Sequence, residues 1–111
     1  MPVLLKGKGK KKELIPGIEA NIVSLGSLMT LLSEINFGIQ KEPLPFHVHE
    51  AEQTTYILEG ELTVFIEGEA PIRLKAGDMY CVASNIPHTI QSHSEIIRVV
   101  ESFSPPRKEF L

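Results

Sequence analysis

Apolar and polar side chains alternate with a period of two from residue 28 to residue 37. Met29, Leu31, Ser33, Ile35 and Phe37 fall on one face, and Leu28, Thr30, Leu32, Glu34 and Asn36 on the other. Successive side chains of a strand point to opposite sides of the pleat, so this pattern predicts a strand buried on one face. Residues 54–58, 61–66, 72–75, 79–83, 88–91 and 95–101 follow as short runs rich in β-branched residues. Glu59-Gly60 and Glu67-Gly68 stand between apolar runs and predict tight hairpin turns, since glycine accepts a positive φ. Gly77-Asp78 opens a further strand, and Asn85 supplies a turn before His88. No segment keeps a helical period over a usable length. Short strands at such regular intervals predict an all-β sandwich or barrel of jelly-roll type, with its mouth or interior available to a ligand.

With 111 residues and no internal repeat, the chain has the length of one domain with a single core. Five of its eleven basic residues, Lys6, Lys8, Lys10, Lys11 and Lys12, crowd the start, which leaves six against fourteen acidic groups from Glu13 onward. The expected organisation is a basic N-terminal arm over residues 1–12 and a single acidic domain over residues 13–111. The arm lacks the arginines and aromatic residues of a nucleic-acid tail, and an acidic body repels a polyanion, so no nucleic-acid partner is expected. No apolar run approaches the about 20 residues of a membrane helix, and no uninterrupted apolar segment follows the lysines as in a secretory leader. No membrane partner is expected. Cys81 has no partner for an intrachain disulfide, which makes a cytoplasmic location the simplest inference. Its place in the apolar run 79–83 predicts a buried packing role.

The chemistry concentrates in Pro45-Phe46-His47-Val48-His49-Glu50-Ala51-Glu52-Gln53 and in Asn85-Ile86-Pro87-His88. Histidines at i and i+2 on a strand project from one face, so His47 and His49 can grip one ion from one side. His88 can complete the set from a facing wall, and Gln53 can add a neutral oxygen. A lone His-x-His is a weak signal, since single histidines in apolar strands usually pack or lie at the surface. Here the pair is followed by strand and turn punctuation in a fixed order.

These residues resemble the two motifs of the cupin family over roughly residues 35 to 100. The first motif is a His-x-His pair, a carboxylate and a later glycine, and His47, His49, Gln53 and Gly60 stand at those places; the second runs from Gly77 to His88. The chain departs from the pattern with Gln53 for Glu, Ala83 for Pro, Asn85 for Gly and Ser92 for Asn. Asparagine tolerates the left-handed conformation that glycine would take, so the turn at Asn85 survives. The resemblance implies a cupin jelly-roll β-barrel, also called a double-stranded β-helix, and one divalent transition metal ion. Three imidazoles suit Zn, Ni, Mn, Fe or Cu. With Gln53 neutral, the whole +2 charge would remain uncompensated, which favours an anionic ligand and strengthens the ion as a Lewis acid.

The end of the chain, Glu101-Ser102-Phe103-Ser104-Pro105-Pro106-Arg107-Lys108-Glu109-Phe110-Leu111, admits two readings. In one, Phe103, Phe110 and Leu111 pack a prolyl-stiffened tail against the barrel or a second subunit. In the other, the tail reaches the barrel mouth, where Arg107 offers a planar fork to a carboxylate and Glu101 a general base. The second reading is similar to a narrower group of small cupins, the KdgF type, which opens the ring of 4,5-unsaturated monouronates to linear keto sugars in pectin and alginate breakdown. The resemblance implies His47, His49, Gln53 and His88 as metal ligands, Glu101, Arg107 and Phe103 as catalytic residues, and a small anionic substrate, a sugar acid. Glu101 stands where that group has Asp. A three-histidine cupin site can also serve a metal-dependent dioxygenase, or a non-catalytic module that binds a small ligand. Single-domain cupins commonly form dimers, and the outer face of the 28–37 strand offers an apolar surface for a homodimer. His93 is expected at the surface on the opposite face from His88, Tyr56 and Tyr80 as packing residues with a hydroxyl at the rim, and Glu50 and Glu52 as solvated loop charges.

Overall fold

The computed structural model describes residues 3–111. Its strands are β1 (Lys12–Ile15), β2 (Ile18–Ser24), β3 (Met29–Ile35), β4 (Glu52–Glu59), β5 (Glu61–Ile66), β6 (Ile72–Lys75), β7 (Met79–Val82), β8 (His88–Ser92) and β9 (Ile97–Ser104), followed by a single 3-10 turn, η1 (Lys108–Phe110). They form a six-stranded sheet in the order β1-β2-β3-β9-β4-β7 and a three-stranded sheet in the order β6-β5-β8, with antiparallel neighbours throughout. This is the all-β jelly-roll barrel that the strand spacing predicts. The free edge of β8 is covered by an extended segment before β4. Gln40 N–H donates to Ser92 O at 2.9 Å, Leu44 N–H to Ile90 O at 3.1 Å, and His47 and His88 exchange two backbone bonds of 3.0 Å.

The alternation read from residue 28 onward holds in β3, where Met29, Leu31, Ser33 and Ile35 are buried and Leu32 faces out. Phe37 lies beyond the strand but still packs on the core. Two apolar clusters divide the interior. Ile35, Ile57, Leu62, Val64, Ile97 and Val99 fill one, and Ala20, Met29, Leu31, Ala51 and Phe103 fill the other. Burial of each large side chain contributes about 1.5–3 kcal/mol. Glu101 on β9 interrupts the apolar inward rows, opposite Leu31 on β3 and Thr55 on β4. Ser33, Gln53, Thr55 and Glu101 therefore form a polar belt inside an apolar barrel.

Several expectations are corrected. No strand was expected before residue 28, yet β1 and β2 extend the large sheet at its edge. Their charged residues hide the pattern, because an edge strand with an exposed outer face needs only Leu14, Ala20 and Ile22 to point inward. His47 and His49 lie on no regular strand; His47 makes only an isolated bridge to His88. The last strand begins at Ile97 instead of residue 95. Cys81 is exposed, because its neighbours Tyr80 and Val82 take the inward positions of β7 and the period of two turns Cys81 outward. Tyr56 likewise faces out, 38% exposed. Asn85 does adopt a positive φ, 61°.

Gly60 turns β4 into β5 with φ +89°, where a β-carbon would meet Ile96 O at 2.8 Å and Ile97 Cγ1 at 3.0 Å. A backbone carbonyl cannot swing aside as a side chain can. Gly60→Ala is expected to lose about 2–3 kcal/mol of stability in denaturant unfolding. Gly68→Ala, at φ +88° with nothing within 4 Å, should lose only the strain of about 1 kcal/mol.

Candidate metal centre and substrate cavity

The paired backbone bonds between His47 and His88 set their imidazoles side by side, with ring centroids 4.2 Å apart. His49, two residues on, presents its ring edge-on to His88 at 4.7 Å and 87°. One ring nitrogen from each of the three falls within 4.8 Å of the others, a group that can hold one metal ion. His49 Nδ1 lies 2.8 Å from Ala51 O, and His88 Nδ1 lies 2.7 Å from Ile86 O. A carbonyl only accepts, so each Nδ1 carries the proton and each Nε2 keeps a bare lone pair. Those two Nε2 atoms face each other at 3.1 Å, and Gln53 Oε1 stands 3.2 Å from His49 Nε2. Acceptors converging at this distance with no proton between them fit a cation. Partial burial, then the neighbouring rings and the Arg107 charge, push the pKa of His47 down to about 4. Burial also lowers His49 and His88, so the rings stay neutral at pH 7, the form that binds a metal.

The metal group opens on a cavity of about 370 Å³ lined on its polar side by His47, Gln53, Tyr80, His88, Glu101 and Arg107. Leu14, Ile35, Ile90, Phe103 and Phe110 build apolar wall. Both readings of the tail find a place here. Phe103 is buried on β9, edge-on to His49 at 5.7 Å, and Phe110 packs on the core cluster around it, whereas Leu111 is exposed. Arg107 sits between them, its guanidinium carbon 4.3 Å above the Phe110 ring and 5.2 Å from that of Phe103. Arg107 Nη2 donates to Glu109 at 3.2 Å. Its Nε, buried, has no partner, the one such side-chain atom among the described residues. A buried cationic N–H without a partner, on a residue that lines the cavity, is a donor left unsatisfied by the protein's own groups.

Glu101 Oε2 accepts from Ser33 Oγ at 3.4 Å, and Glu101 Oε1 from Gln53 Nε2 at 3.5 Å. Burial raises its pKa to about 6, against the opposing pull of Arg107 and Ser33. His93 stands apart from the metal group and bonds Thr63 Oγ1 at 2.7 Å. Glu50 and Glu52 are exposed. The sequence reading missed Leu14 and Thr55, and it left Phe110 and Tyr80 as packing residues. Tyr80 was findable only through strand register, which places it opposite Thr55.

A jelly roll with a His-x-His pair and a distant histidine that could together hold a metal ion, beside one cavity, defines a cupin. The cupin-domain model matches residues 38–103, and the chain belongs to the cupin family. It is a homologue of the pectin degradation protein KdgF of Dickeya dadantii (strain 3937), 34% identical over 101 residues that cover 90% of this chain and 89% of the relative. The structure of KdgF from Halomonas sp. matches with a TM-score of 0.82 and 27% identity, over 96% of this chain and 97% of that one. An RmlC-like cupin from Shewanella frigidimarina NCIMB 400 matches with a TM-score of 0.84 and 23% identity, over 97% and 94% of the two chains, a likeness of fold. Among the described residues no helix is long and apolar enough to cross a membrane.

Proposed function

We propose that this cupin is a metal-dependent, non-redox enzyme that opens the ring of 4,5-unsaturated monouronates to linear keto sugars. The observation that carries the reading is one cavity lined by Arg107, whose buried Nε has no partner, by the Glu101 carboxylate and by histidines that could hold a metal, in a homologue of a pectin degradation protein. His47, His49, His88 and Gln53 would hold one divalent ion, with Zn, Ni, Mn, Fe and Cu all suited to the donors. Such an ion supplies a Lewis acid for a substrate oxygen. Arg107 binds the sugar carboxylate through its open N–H groups, and Phe103 and Phe110 close the apolar side. Glu101 takes the proton of the anomeric hydroxyl as the bond between C1 and the ring oxygen breaks. The ring oxygen leaves as an enolate, and Glu101 returns the same proton to C4, which converts the enolate to a ketone. Atoms are conserved, and no electrons pass to an acceptor. The test is product analysis by NMR with 4,5-unsaturated and saturated galacturonate. The unsaturated sugar should become a linear keto acid while the saturated one persists; an untouched unsaturated uronate would remove the substrate assignment.

Residues 13–111 form the cupin domain in this reading, residues 1–12 a basic arm, and the cytoplasm is the compartment. The protein acts as a homodimer. Leu32, Val100, Tyr56 and Met79 stand in one cross-strand row on the outer face of the large sheet. Leu32 and Tyr56 are 38% exposed and Met79 is 68% exposed. An apolar row of this kind is suited to a second copy. Tyr56→Glu should shift the mass measured by light scattering from dimer to monomer, and a wild-type protein that is already monomeric would contradict the assignment.

A further inference from the structure

Gln53 raises a problem that a carboxylate ligand does not have. Its amide ends in two groups of the same shape, and only the oxygen can face a cation. The reverse orientation has an attraction of its own, because the amide N–H would donate to the bare Nε2 of His49 and occupy the lone pair that the metal needs. Something must decide between the two. Building on the metal reading above, we propose that Thr55, beside the Glu101 carboxylate, is the positioning residue that fixes the Gln53 amide with its oxygen toward the histidines.

Thr55 lies at the crossing of two strand registers, opposite Glu101 on β9 and opposite Tyr80 on β7. It is 1% exposed, and Gln53, two residues away on the same inward face of β4, is 5% exposed. Gln53 Nε2 donates to Thr55 Oγ1 at 3.0 Å and to Glu101 Oε1 at 3.5 Å. The two acceptors take both amide protons. Glu101 as a carboxylate can only accept. An amide oxygen turned this way would face the acceptor-only carboxylate, so the amide presents its nitrogen here and Thr55 Oγ1 accepts the shorter of the two N–H bonds. Gln53 Oε1 is thereby left 3.2 Å from His49 Nε2, on the metal side. Strand register thus becomes amide orientation, and amide orientation becomes a fourth ligand.

The test compares wild type, Thr55→Val, Thr55→Ser and Thr55→Ala after removal of bound metal with a chelator. Each is titrated with Co(II), read by visible absorption, with circular dichroism and thermal unfolding as controls. Valine keeps the shape of threonine and removes the acceptor. Thr55→Val should bind Co(II) at least about tenfold more weakly with a changed ligand-field spectrum, as expected when a group that orients a ligand is lost, and Thr55→Ser should restore both. Wild-type affinity and spectrum in folded Thr55→Val would overturn the proposal. If Thr55→Val does not accumulate as folded protein, Thr55→Ala carries the test: weaker binding with an altered spectrum supports the proposal, and wild-type behaviour overturns it. A wild-type protein that binds neither Co(II) nor Zn(II) would overturn the metal reading itself, and with it this one, a result distinct from wild-type binding in the variants.

Discussion

His49→Ala should lower the affinity for a divalent ion by about a hundredfold and reduce ring opening to background. Zinc sites with four protein ligands bind with about 10–16 kcal/mol, so each donor is worth about 3 kcal/mol, which corresponds to that factor. His49 is the most exposing choice because its Nε2 stands next to both His88 Nε2 and Gln53 Oε1. His93→Ala is the matched control. Its ring bonds Thr63, outside the metal group, and both affinity and turnover should stay as in wild type. Calorimetric titration of Zn(II) into the stripped proteins gives the comparison. Equal affinity in His49→Ala and wild type would mean that the histidine group is not where the metal binds.

Glu101→Gln and Arg107→Ala should separate chemistry from binding. Glu101 is the one carboxylate on the polar side of the cavity and lies within reach of both the amide of Gln53 and the charge of Arg107. Removing a general acid or base lowers turnover by about 10²–10⁴. Glu101→Gln should therefore cut kcat by about a hundredfold or more while KM and metal content hold. Arg107→Ala removes the charge-assisted hydrogen bonds to the substrate carboxylate, worth about 1.5–3 kcal/mol, so KM should rise by about 10–100-fold with a smaller change in kcat. Unchanged turnover in Glu101→Gln would take that residue out of the reaction. Glu101→Asp is the informative third variant, since shortening the side chain by one methylene tests whether the longer acid is placed by Ser33 and Gln53 or merely tolerated.

The hydrophobic alternation made β3 and β4 legible, because each buries one face and exposes the other, and the β-branched runs between turns marked the strands after them. It failed where that contrast vanishes. β1 and β2 carry charges on an exposed edge, and β1 spans only four residues, too few for a period to show. Cys81 was misplaced by its apolar neighbours, although the side-chain period of a strand decides inside from outside and Tyr80 and Val82 had taken the inward positions. The grouping of His47, His49 and His88, which could hold a metal ion, was legible in outline, as was the left-handed turn at Asn85, since both depend on residue type and short spacing. Thr55, Tyr80 and Leu14 reach the site by strand register or by a sheet edge far from the motifs, and no local pattern in the sequence announces them. That the Arg107 Nε is buried without a partner has no signal in the sequence.

The most direct test of the account is turnover of 4,5-unsaturated galacturonate under argon by the stripped protein and by the same protein reloaded with one equivalent of Zn(II). Ring opening by the reloaded protein, none by the stripped protein and no gain on admitting air is the predicted result. Activity that appears only with oxygen and a redox metal, or Zn(II) bound with the sugar unchanged, would contradict it.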